Sequence, residues 1–130
     1  MGSSQLCNVS ATYLVGGGER AGATLTAPIL LAYDANGAFV ENGVAGVPMC
    51  VIYEDFASDV LVTGYSVAPG EIIRVLAGGA ITKGDNVVGA ANGRVTSEGA
   101  AASARSANTL GTALEAASGT GVVIRVRMGK

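Results

Sequence analysis

Three carboxylates crowd into six residues at Glu54, Asp55 and Asp59, the densest acidic cluster of the chain. Carboxylates on a loop are hard oxygen donors of the kind calcium takes. The Asp-x-Asp-x-Asp-Gly order of a calcium loop is missing, so the cluster reads as a solvated connector between strands. Paired acids also serve glycoside hydrolysis, but the aromatic platforms that hold sugars are scarce, with aromatics at 5% and no Trp. Gly16-Gly17-Gly18-Glu19-Arg20 offers a run of backbone N–H groups to an anion. It lacks the spacing of a P-loop, and no Gly-x-Gly-x-x-Gly occurs anywhere, so it reads as a hinge. The chain has no histidine. That removes Ser-His-Asp and Cys-His catalysis and every imidazole ligand. Cys7 and Cys50 are too few for a four-thiolate zinc site and too far apart for a CxxC redox pair. A pair of buried thiols is favoured over a disulfide. The inventory predicts no enzyme, no metal site and no cofactor.

The cations suggest binding instead. Arg125 and Arg127 alternate along a β-branched run, which points both the same way on a strand and makes a basic stripe that Lys130 extends. The stripe suits an acidic partner surface as well as it suits plain solubility. Arg74 sits in the apolar run Ile72-Ile73-Arg74-Val75-Leu76, where burial would demand a carboxylate; an intersubunit ion pair would fit, with Glu71 or Glu115 as candidates. Leu25, Ile29 and Leu30 of an apolar N-terminal piece join Arg74, Arg125 and Arg127 as candidate partner-binding residues. Formal net charge is −2 and the sequence pI about 4.9, so no broad basic field exists to hold nucleic acid through its phosphates. No charge-free stretch supplies the roughly 18 apolar residues of a membrane span. The N-terminus shows neither the basic start nor the apolar run of a secretion signal, and the expectation is a soluble protein made in the cytoplasm. A mean hydropathy of +0.45 is high for so short a chain. A domain this size hides only about two-thirds of its surface, so some apolar surface is expected to lie against another chain.

The elements that must carry these residues are short strands. The chain has 130 residues with 20 Gly and 3 Pro, enough for one domain of strands punctuated by turns. Apolar, β-branched runs predict strands at 47–53, 60–67, 71–77, 80–82, 86–89, 94–96, 111–115 and 121–128. Asn36-Gly37, Asn42-Gly43 and Asn92-Gly93 are hairpin signals, because a type I′ turn needs positive φ at both central residues. The third predicts a tight hairpin; the first two leave room for only a short strand at 38–41. The alanine-rich stretch 97–106 reads as a loop or one or two helical turns. Residues 1–35, with their glycines and Pro28, read as an extended Gly-rich N-terminal arm ahead of a β-domain at 36–130. Deleting residues 1–24 is then expected to leave a folded protein that binds its partner more weakly. The fold class expected is all-β, a small β-barrel or β-sandwich.

Over residues 67–128 the order of motifs carries a resemblance. It runs Ala68-Pro69-Gly70-Glu71, Arg74-Val75-Leu76-Ala77-Gly78-Gly79-Ala80-Ile81-Thr82-Lys83-Gly84-Asp85, Asn92-Gly93-Arg94-Val95, then Leu110-Gly111-Thr112-Ala113-Leu114-Glu115-Ala116-Ala117-Ser118 and the closing Val/Arg strand. This ordered set resembles the small capsid cement, or head decoration, proteins of tailed bacteriophages. It covers about half the chain, and residues 1–66 carry none of it. The resemblance implies a β-domain assembled as homotrimers on the outer surface of the phage head, bridging copies of the major capsid protein, with no active site. Alternatives are another virion part, such as a head fibre base or tail protein, and a small carbohydrate-binding or hydrolytic β-domain worked by Glu54, Asp55 or Asp59.

Overall fold

A computed structural model of the chain describes residues 20–129 and the backbone of Leu6–Cys7. The readings that rest on Gly16-Gly17-Gly18-Glu19, on the Cys7 side chain and on Lys130 lie outside the described residues.

Two five-stranded antiparallel sheets divide the chain near residue 70. The first holds β1 (Leu6–Cys7), β2 (Ile29–Tyr33), β3 (Phe39–Glu41), β4 (Cys50–Ile52) and β5 (Gly64–Tyr65), in the order β1-β5-β4-β2-β3. The second holds β6 (Ile72–Leu76), β7 (Asn86–Gly89), β8 (Val95–Gly99), β9 (Gly111–Ala113) and β10 (Val123–Met128), in the order β6-β10-β9-β7-β8. Its ends touch only through the bridge between Ala77 and Val95, so the sheet curls without closing into a barrel. The fold is all-β, as expected.

The second sheet follows from period-two patterning. Along β10, Ile124, Val126 and Met128 are buried while Val123, Arg125 and Arg127 face out. On its partner β6, Ile73 and Val75 are buried and Arg74 is exposed. The inward residues meet Leu30 and Val51 of the first sheet in one apolar cluster. That contact explains why the first sheet shows no alternation. Ile29, Leu31, Cys50 and Ile52 point the other way, into a second cluster closed by Ala21, Leu25, Phe56 and Val62. A sheet covered on both faces needs apolar residues at successive positions, and Ile29-Leu30-Leu31 and Cys50-Val51-Ile52 are fully buried runs.

This corrects the arm over its described part. Residues 20–35 are built into the domain: β2 is an interior strand, Arg20 bridges Leu61, Ala21 bridges Phe39 and Leu25 bridges Phe56. Pro28 stands just before β2, so its missing N–H costs the strand no ladder bond.

The three Asn-Gly pairs have three fates. Asn36-Gly37 turns β2 into β3, with Gly37 at φ 82° and the Asp34 carboxylate accepting from the Asn36 and Ala38 N–H groups. Asn92 and Gly93 both take positive φ, 64° and 73°, between β7 and β8. The loop has three residues, because the Ala90 N–H bonds the Arg94 carbonyl. Asn42-Gly43 makes no such hairpin. Asn42 is buried, its side chain donating to the Gly46 carbonyl and its own carbonyl accepting from the Gly93 N–H. It therefore ties the β7–β8 turn to the first sheet. At 80–82 only Ile81 pairs, with Ala117.

The alanine-rich stretch is β8 followed by a loop with one 3₁₀ turn, Ala102–Ala104. Buried Asn86 holds it: its Nδ2 donates to the carbonyls of Gly99 and Ala101, both at 3.0 Å, and its Oδ1 accepts from Arg105 Nε at 3.2 Å. Glu98 accepts from the hydroxyls of Ser106 and Thr109. Replacing Asn86 with Ala removes these three hydrogen bonds and is expected to cost about 2 kcal/mol. The check is thermal melting together with limited trypsin digestion, in which cleavage after Arg105 should come earlier than in the parent protein.

Candidate functional site

Two surfaces stand out on this frame. The first is the outer face of β6 and β10. Their antiparallel register sets Arg125 directly opposite Arg74, Val123 opposite Leu76, and Arg127 opposite Ile72. The two arginines that alternate along β10 thus share a face with the one on β6, as the spacing predicts. Arg74 is exposed rather than buried, and within the chain it pairs with neither Glu71 nor Glu115. Its guanidinium lies 4.8 Å from the centre of the Tyr53 ring, and its backbone N–H donates to the Tyr53 hydroxyl at 3.2 Å. Tyr53 is in turn tilted against Tyr65, with centroids 5.2 Å apart. Glu115 goes to Arg125: one carboxylate oxygen accepts from the backbone N–H at 2.9 Å and the other lies 3.4 Å from Nε, with both side chains about half exposed. It is the one ion pair among the described residues. An exposed pair of this kind is worth about 0–1 kcal/mol, so it orients Arg125 more than it stabilises the fold.

The second surface is apolar. Val44 and Val47 are 76% and 78% exposed on the loop between β3 and β4, and Met49 is 43% exposed beside them. Val47 also lines a groove of about 240 Å³ with Pro48, Val67, Pro69, Leu110 and Met128. Sequence reading placed Val47 at the head of a strand and missed this loop. The signal was there, in apolar residues alternating with Gly43, Gly46 and Pro48, breakers that keep a chain at the surface.

The other candidates dissolve into structure. Leu25, Ile29 and Leu30 are 0%, 1% and 0% exposed, which corrects their assignment as partner-binding residues: they are core, sealed between the sheets and in the second apolar cluster. The acidic loop holds the N-terminal segment in place. Asp55 accepts from the Ala27 N–H at 2.8 Å, and the Asp59 carbonyl accepts from Arg20 at 3.0 Å. Among the described residues no group of three or more His, Cys, Asp or Glu comes together to hold a metal ion. Cys50 is buried.

Two antiparallel sheets of short strands, one covered on both faces and the other presenting arginines outward, define an all-β fold built in sequence order. The same fold occurs in the head fibre protein gp8.5, N base, of bacteriophage phi29. The two superpose with a TM-score of 0.67 over 97% of this chain and 92% of that one, at 19% sequence identity. At that identity the likeness is one of fold. No family model and no curated protein matches the chain.

Proposed function

We propose that the chain is a structural protein of a bacteriophage virion. In this reading it is a decoration protein that binds the outer surface of the assembled head as trimers, bridges neighbouring copies of the major capsid protein, and catalyses nothing. The observation that carries the reading is the shared fold with a phage head fibre base over nearly the whole chain. The motif order at 67–128, which forms the second sheet, supports it from the sequence side.

The physics required is modest. A protein that binds only the assembled shell stabilises it by its binding free energy, and three linked contacts exceed one in avidity by roughly 10² to 10⁴. Each subunit then needs only a small docking surface. The same fold likeness favours a fibre base as the second reading, with the expectation that such a base occupies fewer sites on the head.

Copy number separates the two. Quantitative mass spectrometry of purified virions is expected to find this protein at parity with the major capsid protein or at a simple fraction of it. A handful of copies per particle would move the protein to a fibre or vertex, and its absence from virions would overturn the proposal.

A further inference from the structure

We propose that the outer face of β6 and β10 is a docking surface for a carboxylate-rich segment of another protein, with Arg74, Arg125 and Arg127 as the groups that grip it. The proposal rests on the binding-module reading only for the partner's identity, an acidic exposed segment of the shell protein. The chemistry stands on the face itself.

Three of the chain's eight cations lie within two strands of a protein whose net charge is −2. Arg74 and Arg125 are directly opposite, and like charges so placed on neighbouring strands destabilise a sheet. The arrangement works against folding, so folding does not account for it. Glu115 offsets one of the three charges, and Arg127 has no ion pair among the described residues. Arg74 lies over the Tyr53 ring. A guanidinium held over an aromatic ring is oriented by it and still has donors to offer a carboxylate.

The composition of the face favours protein over nucleic acid. Val123, 47% exposed, stands opposite Leu76 at one end, and Ile72 stands opposite Arg127 at the other. Aliphatic groups beside arginine fit a protein surface and give a phosphate backbone nothing to bind. Strand addition at the β6 edge is blocked. The Arg74 N–H is taken by the Tyr53 hydroxyl and the Leu76 N–H by the Pro28 carbonyl at 3.0 Å. A partner therefore docks on side chains, not on the strand's backbone.

The test compares the full chain with the double variant Arg74→Glu, Arg127→Glu, using poly-L-glutamate as the probe and a DNA oligonucleotide of equal charge as the rival polyanion. Circular dichroism melting verifies that both proteins fold, and Arg74→Lys with Arg127→Lys keeps the charge while removing the fork. The parent is expected to bind poly-L-glutamate, the Glu variant to bind at least about tenfold more weakly, and the Lys variant to fall between. Absence of poly-L-glutamate binding by the parent, equal binding by the Glu variant, or tighter binding of the oligonucleotide would each overturn the proposal. Phage heads stripped of this protein separate the two readings. If heads hold the Glu variant as well as the parent, the docking face is wrong and the shell reading stands. If heads hold neither while the poly-L-glutamate result is as expected, the shell reading fails and the acidic-partner face stands.

Discussion

Deleting residues 1–24 is expected to lower the melting temperature by about 10–20 °C, while deleting residues 1–19 lowers it by only a few degrees. The difference lies in five residues. The Ala21 N–H donates to the Val60 carbonyl at 2.9 Å and the Gly22 N–H to the Phe39 carbonyl at 2.7 Å; the Arg20 and Ala21 carbonyls accept from the N–H groups of Phe39 and Asp59, at 2.7 and 2.8 Å. Each such bond contributes about 0.5–1.5 kcal/mol net, and a group left buried without a partner costs more. Truncation at 24 also turns β3 into a bare edge and uncovers Phe39, which is fully buried and one of the largest side chains of the second cluster. The sum is about 3–5 kcal/mol, a fifth or more of the total stability of an ordinary domain. Truncation at 19 takes away β1, whose two residues pair with β5 at the sheet margin. Melting both truncations side by side is the check. Equal melting temperatures would restore an arm that reaches past residue 20, and with it the expectation that the first 24 residues serve binding alone.

That contrast shows where the sequence could be read and where it could not. In β10 the signal is local: alternate residues differ in polarity because one face of the strand meets the core and the other meets water. The sequence thus places Arg125 and Arg127 on one face, but the pairing with β6 that brings Arg74 beside them comes only from the structure. In β2 and β4 the same physics erases the signal. Leu30 and Val51 face the second sheet while Ile29, Leu31, Cys50 and Ile52 face the other cluster, so apolar residues follow one another without a period; 47–53 still reads as a strand, but Ile29-Leu30-Leu31 reads as a fragment of an arm. The Asn-Gly pairs teach the same lesson at the scale of a turn. Asn92-Gly93 and Asn42-Gly43 are the same dipeptide, yet one is a hairpin tip and the other ties down that very tip through the Asn42 carbonyl and the Gly93 N–H. What decides between them is a neighbour about 50 residues away. Tyr53, 21 residues before Arg74, was invisible as its platform for the same reason.

Gly111→Ala is expected to destabilise the protein by about 3 kcal/mol, a fall in melting temperature of about 10–15 °C. Gly111 sits in β9 between β7 and β10, opposite Met128 on one side and Val87 on the other. A methyl group built there falls onto the backbone carbonyl of Arg127, with the Met128 Cα only 3.0 Å away. Backbone in a paired strand cannot swing aside as a long side chain can, so β10 must move off β9 and lose ladder bonds. Two controls isolate the cause. Gly119 has open space and an ordinary φ, so Gly119→Ala should be neutral or slightly stabilising, by up to about 1 kcal/mol. Gly84 is equally open but sits at φ +94°, so Gly84→Ala should cost about 1–2 kcal/mol from backbone strain alone. The displaced strand is the one that carries Arg125 and Arg127. Measured well below its melting temperature, Gly111→Ala should therefore also weaken binding to poly-L-glutamate, whereas Gly84→Ala should leave it unchanged. If Gly111→Ala melts like Gly119→Ala, the close approach of β9 to β10 is wrong.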